Sequence, residues 1–171
     1  MNKKVLSLVH AAVIAALYVV LTMIANSLGL ASYAIQVRFS EALTILPFFT
    51  PAAIPGLFIG CLLSNILTGC MPLDVLFGSI ATLLGALGTY YLCGRAKLSA
   101  QSNKIEGWLA PLPPILANTL IVPFVLAYVY HFEGSIPYFM ITVALGEIIS
   151  CGILGILLLN TLQKYRRQLF S

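Results

Sequence analysis

The chain reads as a succession of long apolar runs separated by short polar breaks. Apolar stretches cover about Val5–Leu28, Phe39–Leu67, Leu73–Cys93, Trp108–Tyr130 and Ile136–Leu162. Runs of this length, with charges held to their ends, cross a bilayer as helices. The first run is too long for a signal-peptide core of about 7–15 residues, and no small-residue cleavage site closes it convincingly. The sizeable polar break is Gly94–Gly107, GRAKLSAQSNKIEG.

The stretch Gln36–Gly60, QVRFSEALTILPFFTPAAIPGLFIG, departs from this pattern. It sets Arg38 and Glu41 at the edge of an apolar block that Pro47, Pro51 and Pro55 interrupt. Charges at such an edge need a partner or a job. The prolines exclude one plain helix. The block Phe39–Leu67 is too long for one span and short for two full ones. Two short helices, 39–49 and 52–67, meeting near the prolines are expected, with a re-entrant hairpin as the alternative.

Composition fixes the class. Hydrophobic residues make up 60% of the 171 positions and charged residues 8%, where a soluble domain carries roughly a quarter charged residues. This is an integral membrane protein, all-α, with one membrane domain over residues 1–171. Charge then orients it. Every basic residue except Arg38 lies before the first span (Lys3, Lys4), in the polar break (Arg95, Lys97, Lys104) or after the last span (Lys164, Arg166, Arg167). The positive-inside rule puts all three places in the cytoplasm. The His131–Ser135 connection carries only Glu133 and suits the outside. An even number of crossings must therefore separate the N-terminus from the polar loop, which favours six helices: 5–28, 39–49, 52–67, 73–93, 108–130 and 136–162, with both termini cytoplasmic. The net charge of +4 is explained by these cytoplasmic residues and a lipid surface, and calls for no nucleic acid. Cys61, Cys70, Cys93 and Cys151 stand singly, without C-x-x-C spacing, and read as packing residues rather than metal ligands.

The remaining polar groups are the candidate chemistry. Glu147 lies well inside the last span, and its helical neighbours Val143, Ala144, Ser150 and Cys151 cannot neutralise it. Asp74 follows Pro72 in a first helical turn, where an acid also complements the helix dipole. Arg38 and Glu41 are three apart and share a helical face. Asn118 falls mid-span, and Asn65 near an outer helix end; either could simply join helices. Asn26 is a weaker candidate, and His10 reads as interfacial. Tyr33, Tyr128, Tyr130, Tyr138 and Phe139 gather at the outer ends. An aromatic belt explains most of them, and a planar ligand would stack on one or two, with Tyr128 as the candidate ring. Three carboxylates against one guanidinium favour a cationic ligand rich in N–H donors over a phosphate or carboxylate. Ala11 and Ala15, and Ala12 and Ala16, are spaced four apart on the first helix. Such spacing suits close packing inside the bundle or docking of a partner helix. HExxH, GxSxG and Walker A motifs are absent, so the chain is not read as an enzyme and does not bind ATP itself.

At these residues the chain resembles a known family. VRFSEALTILPFFTPAAIPGLFIGCLLSNILTG looks like the hallmark of the QueT transporter family, and PLDVLFGSIATLLGALGTYYL, WLAPLPPILANTLIV and GEIISCGILG resemble it too. The likeness covers about Ala11 to Leu159. It implies a six-helix S component of an energy-coupling factor (ECF) transporter in the bacterial cell membrane. Its implied partners are a transmembrane T subunit and two ATPase subunits, which use ATP and magnesium; no cofactor is implied in this chain itself. It implies that Ala11, Ala12, Ala15 and Ala16 face the T subunit. The implied ligand is a queuosine precursor, 7-aminomethyl-7-deazaguanine, or queuine. Glu41, Asp74 and Glu147 would divide its guanine-like edge and its amine, with Asn118 or Arg38 for the ring oxygen and Asn65 and Tyr128 as further contacts. The competing readings are an S component for another cationic or nucleobase-like ligand, a membrane scaffold, and an intramembrane enzyme using Glu147 and Asp74.

Overall fold

The structure is a computed structural model describing residues 2–30, 36–94 and 104–169. Tyr33, Arg95 and Lys97, singled out above, lie outside the described residues. Among the described residues seven α-helices occur in chain order: α1 (Lys3–Ser27), α2 (Ala53–Leu67), α3 (Pro72–Thr89), α4 (Lys104–Leu109), α5 (Leu112–Tyr128), α6 (Ile136–Glu147) and α7 (Gly155–Leu169). A 3₁₀ helix, Phe39–Phe48, stands between α1 and α2. π-Helical stretches extend α3 over Tyr90–Gly94 and join α6 to α7 over Ile148–Leu154. Among the described residues there is no strand. Lys3–Ser27, Pro72–Cys93, Gly107–Tyr128 and Ile136–Tyr165 are each long and apolar enough to cross a membrane, and Phe39–Phe48 and Ala53–Leu67 are shorter apolar helices.

The helix ends have local causes. The Asn2 side chain accepts from the Lys4 amide at 3.1 Å, and Ser135 caps α6 through the Tyr138 amide. Pro72 opens α3 where its missing N–H costs nothing. Gly69, at φ 75°, ends α2, and the Cys70 amide then reaches back to the Asn65 carbonyl at 3.0 Å.

The proline-broken block is a pair of helices, and the first is not α-helical. A 3₁₀ helix rises about 2.0 Å per residue against about 1.5 Å for an α-helix. Ten residues therefore reach further through the bundle than the α-helix the sequence pattern suggests. Pro47 falls in its final turn, and everything from Ser40 to Phe48 is buried. This segment occupies the middle of the bundle, touching α1, α2, α3, α7 and the Ile148–Leu154 stretch. Around it α1 packs on α2, α2 on α3, α3 on α5, and α5 on α6.

Two seams of small residues close the bundle. A Cβ placed on Gly56 would lie 2.7 Å from the Ala11 carbonyl oxygen, and one on Gly60 would lie 2.7 Å from Tyr18 Cβ. Across the other seam, a Cβ on Gly85 would meet Pro114 and one on Gly88 would meet Pro113, both at 2.6 Å. Backbones approach this closely only where side chains are missing. Large apolar side chains cover the outside as well as the core, and a set of polar groups is buried. Leu8, Leu92 and Ile141 point outward, while Ser40, Thr44, Asn65, Thr82 and Asn118 are buried. That is the distribution expected of a chain with lipid outside and polar groups gathered within.

Candidate ligand-binding site

The buried polar groups converge where the 3₁₀ helix meets the Ile148–Leu154 stretch. In a 3₁₀ helix residues three apart eclipse, so Glu41 and Thr44 face the same way. Thr44 Oγ1 lies 3.4 Å from Cys151 Sγ. The π-helical turn begins directly after Glu147, widening the helix at the point where Glu147, Ser150 and Cys151 face the site. Cys151 Sγ donates to Glu147 Oε2 and Asn118 Nδ2 to Oε1, each at 3.0 Å. Glu41, 2% exposed, accepts from the Tyr18 hydroxyl on Oε1. Its other oxygen, Oε2, is buried without a hydrogen-bond partner among the described residues. Donor atoms of Glu41, Glu147 and Cys151 all lie within 4.8 Å of one another. Two carboxylates and a thiol without histidine are an unusual ligand set for zinc; the pair of acids is better suited to an ammonium.

Arg38 is held from several sides. Its amide donates to Ser150 Oγ at 3.1 Å, and its guanidinium reaches Asn65 Oδ1 at 3.4 Å. Asn65, fully buried, thus stands behind Arg38 rather than in the site wall. The backbone just before Arg38 crosses α6 so tightly that a Cβ on Gly146 would lie 2.2 Å from the Gln36 carbonyl oxygen. Asp74, 8% exposed, accepts from the Tyr130 hydroxyl at 2.7 Å, and the same hydroxyl accepts from the Met71 amide at 3.3 Å.

These groups line two adjoining chambers. The inner one, about 30 Å³, has Glu41, Glu147, Asn118, Gly78 and Thr82 in its wall. The outer one, about 140 Å³, adds Cys70, Tyr130 and Phe132. Gln36, Arg38, Asp74 and Leu126 border both.

Comparison with known proteins fits this geometry into a family. The family model described as QueT transporter matches residues 8–164. The chain belongs to the QueT transporter family. A relative named "Queuosine precursor transporter QueT", from Lactococcus lactis subsp. cremoris (strain MG1363), is 37% identical over 83 residues. That match spans 48% of this chain and 48% of the relative, about half its length. No solved structure matches.

Of the residues singled out by sequence, Arg38, Glu41, Asp74, Asn118 and Glu147 meet at one site in this QueT family member. Tyr128 does not. It is 65% exposed, stacked on Phe124, in an apolar groove with Leu73 and Phe77 on the outside of α3 and α5. The rings at the site are Tyr130, two residues on, and Phe132. The alanines divide: Ala11 and Ala15 pack against Gly56 and Gly60, while Ala12 and Ala16 lie on the exposed face of α1. Asn26 is exposed, away from these chambers. Sequence reasoning missed Tyr18, Gln36, Cys151 and Phe132. Tyr18 had a signal: it shares a stripe with Ala11, Ile14, Ala15, Thr22 and Ala25, all buried, and a tyrosine on a small-residue seam needs a partner for its hydroxyl.

Proposed function

We propose that this chain is the substrate-binding S component of an ECF-type importer, capturing a queuosine precursor from outside the cell. The observation that carries this is the excess of buried acid in a walled site. Among the described residues, Glu41, Asp74 and Glu147 share the site wall with one cation, Arg38, and Glu41 Oε2 has no partner. A buried carboxylate oxygen left bare costs free energy that a ligand N–H can recover. A deazaguanine carrying an aminomethyl group presents a cation and two neighbouring N–H donors, chemistry that carboxylates accept and an anionic vitamin would not satisfy. The relative's name supports the same substrate class. A transmembrane T subunit and two ATPases would supply the energy, since the chain carries no nucleotide-binding motif. The exposed Ala12 and Ala16 of α1 suit close approach by a helix of the T subunit.

Uptake tests this reading. Cells lacking other salvage routes should accumulate labelled 7-aminomethyl-7-deazaguanine when this chain is expressed together with the T and ATPase subunits. Omitting the ATPases should abolish accumulation. Equal accumulation with and without the chain would defeat the proposal.

A further inference from the structure

The two chambers differ in size and chemistry, and together they orient a ligand. The inner chamber, about 30 Å³, admits a water-sized group, which needs roughly 10–15 Å³ of cavity, and falls far below the roughly 150 Å³ that takes up a benzene ring. An ammonium group is of that size, and no ring enters such a space. Its wall carries the bare Oε2 of Glu41 beside Glu147. A carboxylate offers several lone-pair sites, more than Tyr18, Asn118 and Cys151 occupy. A primary ammonium has three N–H donors to place there. The outer chamber, about 140 Å³, is on the scale of the roughly 150 Å³ cavity that takes up one aromatic ring, and it adjoins the inner one along Gln36, Arg38, Asp74 and Leu126. The rings of Tyr130 and Phe132, 5.6 Å apart at 32°, give it aromatic surface. Asp74 supplies an acceptor and Arg38 a donor at its border, the complement of a lactam edge with adjacent N–H and C=O.

We infer that the ligand binds arm-first: its primary ammonium fills the inner chamber between Glu41 and Glu147, and its planar ring system stays in the outer chamber against Asp74, Arg38 and Tyr130. This rests on the deazaguanine reading and deepens it. A secondary amine bearing a further ring, as in queuine, has no room beyond the nitrogen. The substrate is then the primary-amine precursor.

Isothermal titration of the full chain in lipid nanodiscs separates the possibilities. The probes are 7-aminomethyl-7-deazaguanine, 7-cyano-7-deazaguanine, 7-deazaguanine without the arm, and queuine. The aminomethyl compound should bind at least about tenfold more tightly than each of the others, the scale of one charge-assisted hydrogen bond. Glu41→Gln should bring it down to the level of armless 7-deazaguanine while leaving that compound within about threefold. Should Glu41→Gln fail to fold, Glu147→Gln and the wild-type series carry the test. Armless 7-deazaguanine or queuine binding wild type as tightly as the aminomethyl compound would overturn the arm-first orientation and leave the deazaguanine reading standing. Failure of every probe to bind would overturn both.

Discussion

Glu41 is held by one oxygen and bare at the other, and Tyr18 decides which. The Tyr18 hydroxyl, wholly buried on α1, donates to Oε1 and so leaves Oε2 for the site. Tyr18→Phe removes that donor without changing the packing volume much. We expect the affinity for 7-aminomethyl-7-deazaguanine to fall about tenfold and stability by about 1 kcal/mol, read by titration and by chemical unfolding. Unchanged affinity would show that Glu41 needs no positioning. Cys151 takes the same part for Glu147, with Asn118 on the opposite oxygen. The acids themselves were legible in the sequence, because carboxylates in an apolar span demand explanation. Their holders were legible only in part. Asn118 stood out as a polar group in mid-span and Tyr18 lay on a small-residue seam, but a cysteine four residues from Glu147 is unremarkable until a π-helical turn aims it at the carboxylate.

The elements that shape the site are those with irregular hydrogen bonding. The 3₁₀ helix carries Glu41 through the bundle centre, and the π-helical turn swings Ser150 and Cys151 toward it. Proline spacing announced a break within residues 39–67, but apolar periodicity cannot distinguish a ten-residue 3₁₀ helix from an α-helix. Nothing in IISCGIL signalled a π turn. The α1–α2 seam supports this arrangement from behind. Gly60→Val places atoms where Tyr18 Cβ already sits, 2.7 Å away. Overpacking of this kind costs about 1–3 kcal/mol, and displacement of Tyr18 should weaken ligand binding as well. A melting temperature and affinity both at wild-type values would contradict this account of the seam. On the exposed side of the same helix, Ala12→Leu with Ala16→Leu should leave stability within about 0.5 kcal/mol yet abolish co-purification with the T subunit. Retained co-purification would remove Ala12 and Ala16 from the proposed interface.

At the scale of the whole molecule, hydropathy and proline spacing together anticipate the fold. The long apolar runs appear as four spans and two shorter helices, because membrane helices are set by length and composition more than by tertiary detail. The charge distribution goes further and predicts an orientation for them, with both termini in the cytoplasm. Glu133→Cys should react with an impermeant maleimide added outside intact cells, and Lys3→Cys should react only after permeabilisation, in a background with the half-buried thiol of Cys70 removed. The reverse pattern would invert the topology and turn the acid site away from its substrate. What sequence could not supply was the division of the site into chambers, since volumes depend on how the Gln36 backbone lies against Gly146 and how Tyr130 reaches Asp74. Equilibrium binding of 7-aminomethyl-7-deazaguanine to the purified chain in nanodiscs tests the central claim most directly. The account predicts saturable one-to-one binding to wild type and at least about a tenfold loss in Glu147→Gln, with that variant unfolding as cooperatively as wild type. A folded wild-type chain that does not bind, or a Glu147→Gln chain that binds equally well, would contradict it.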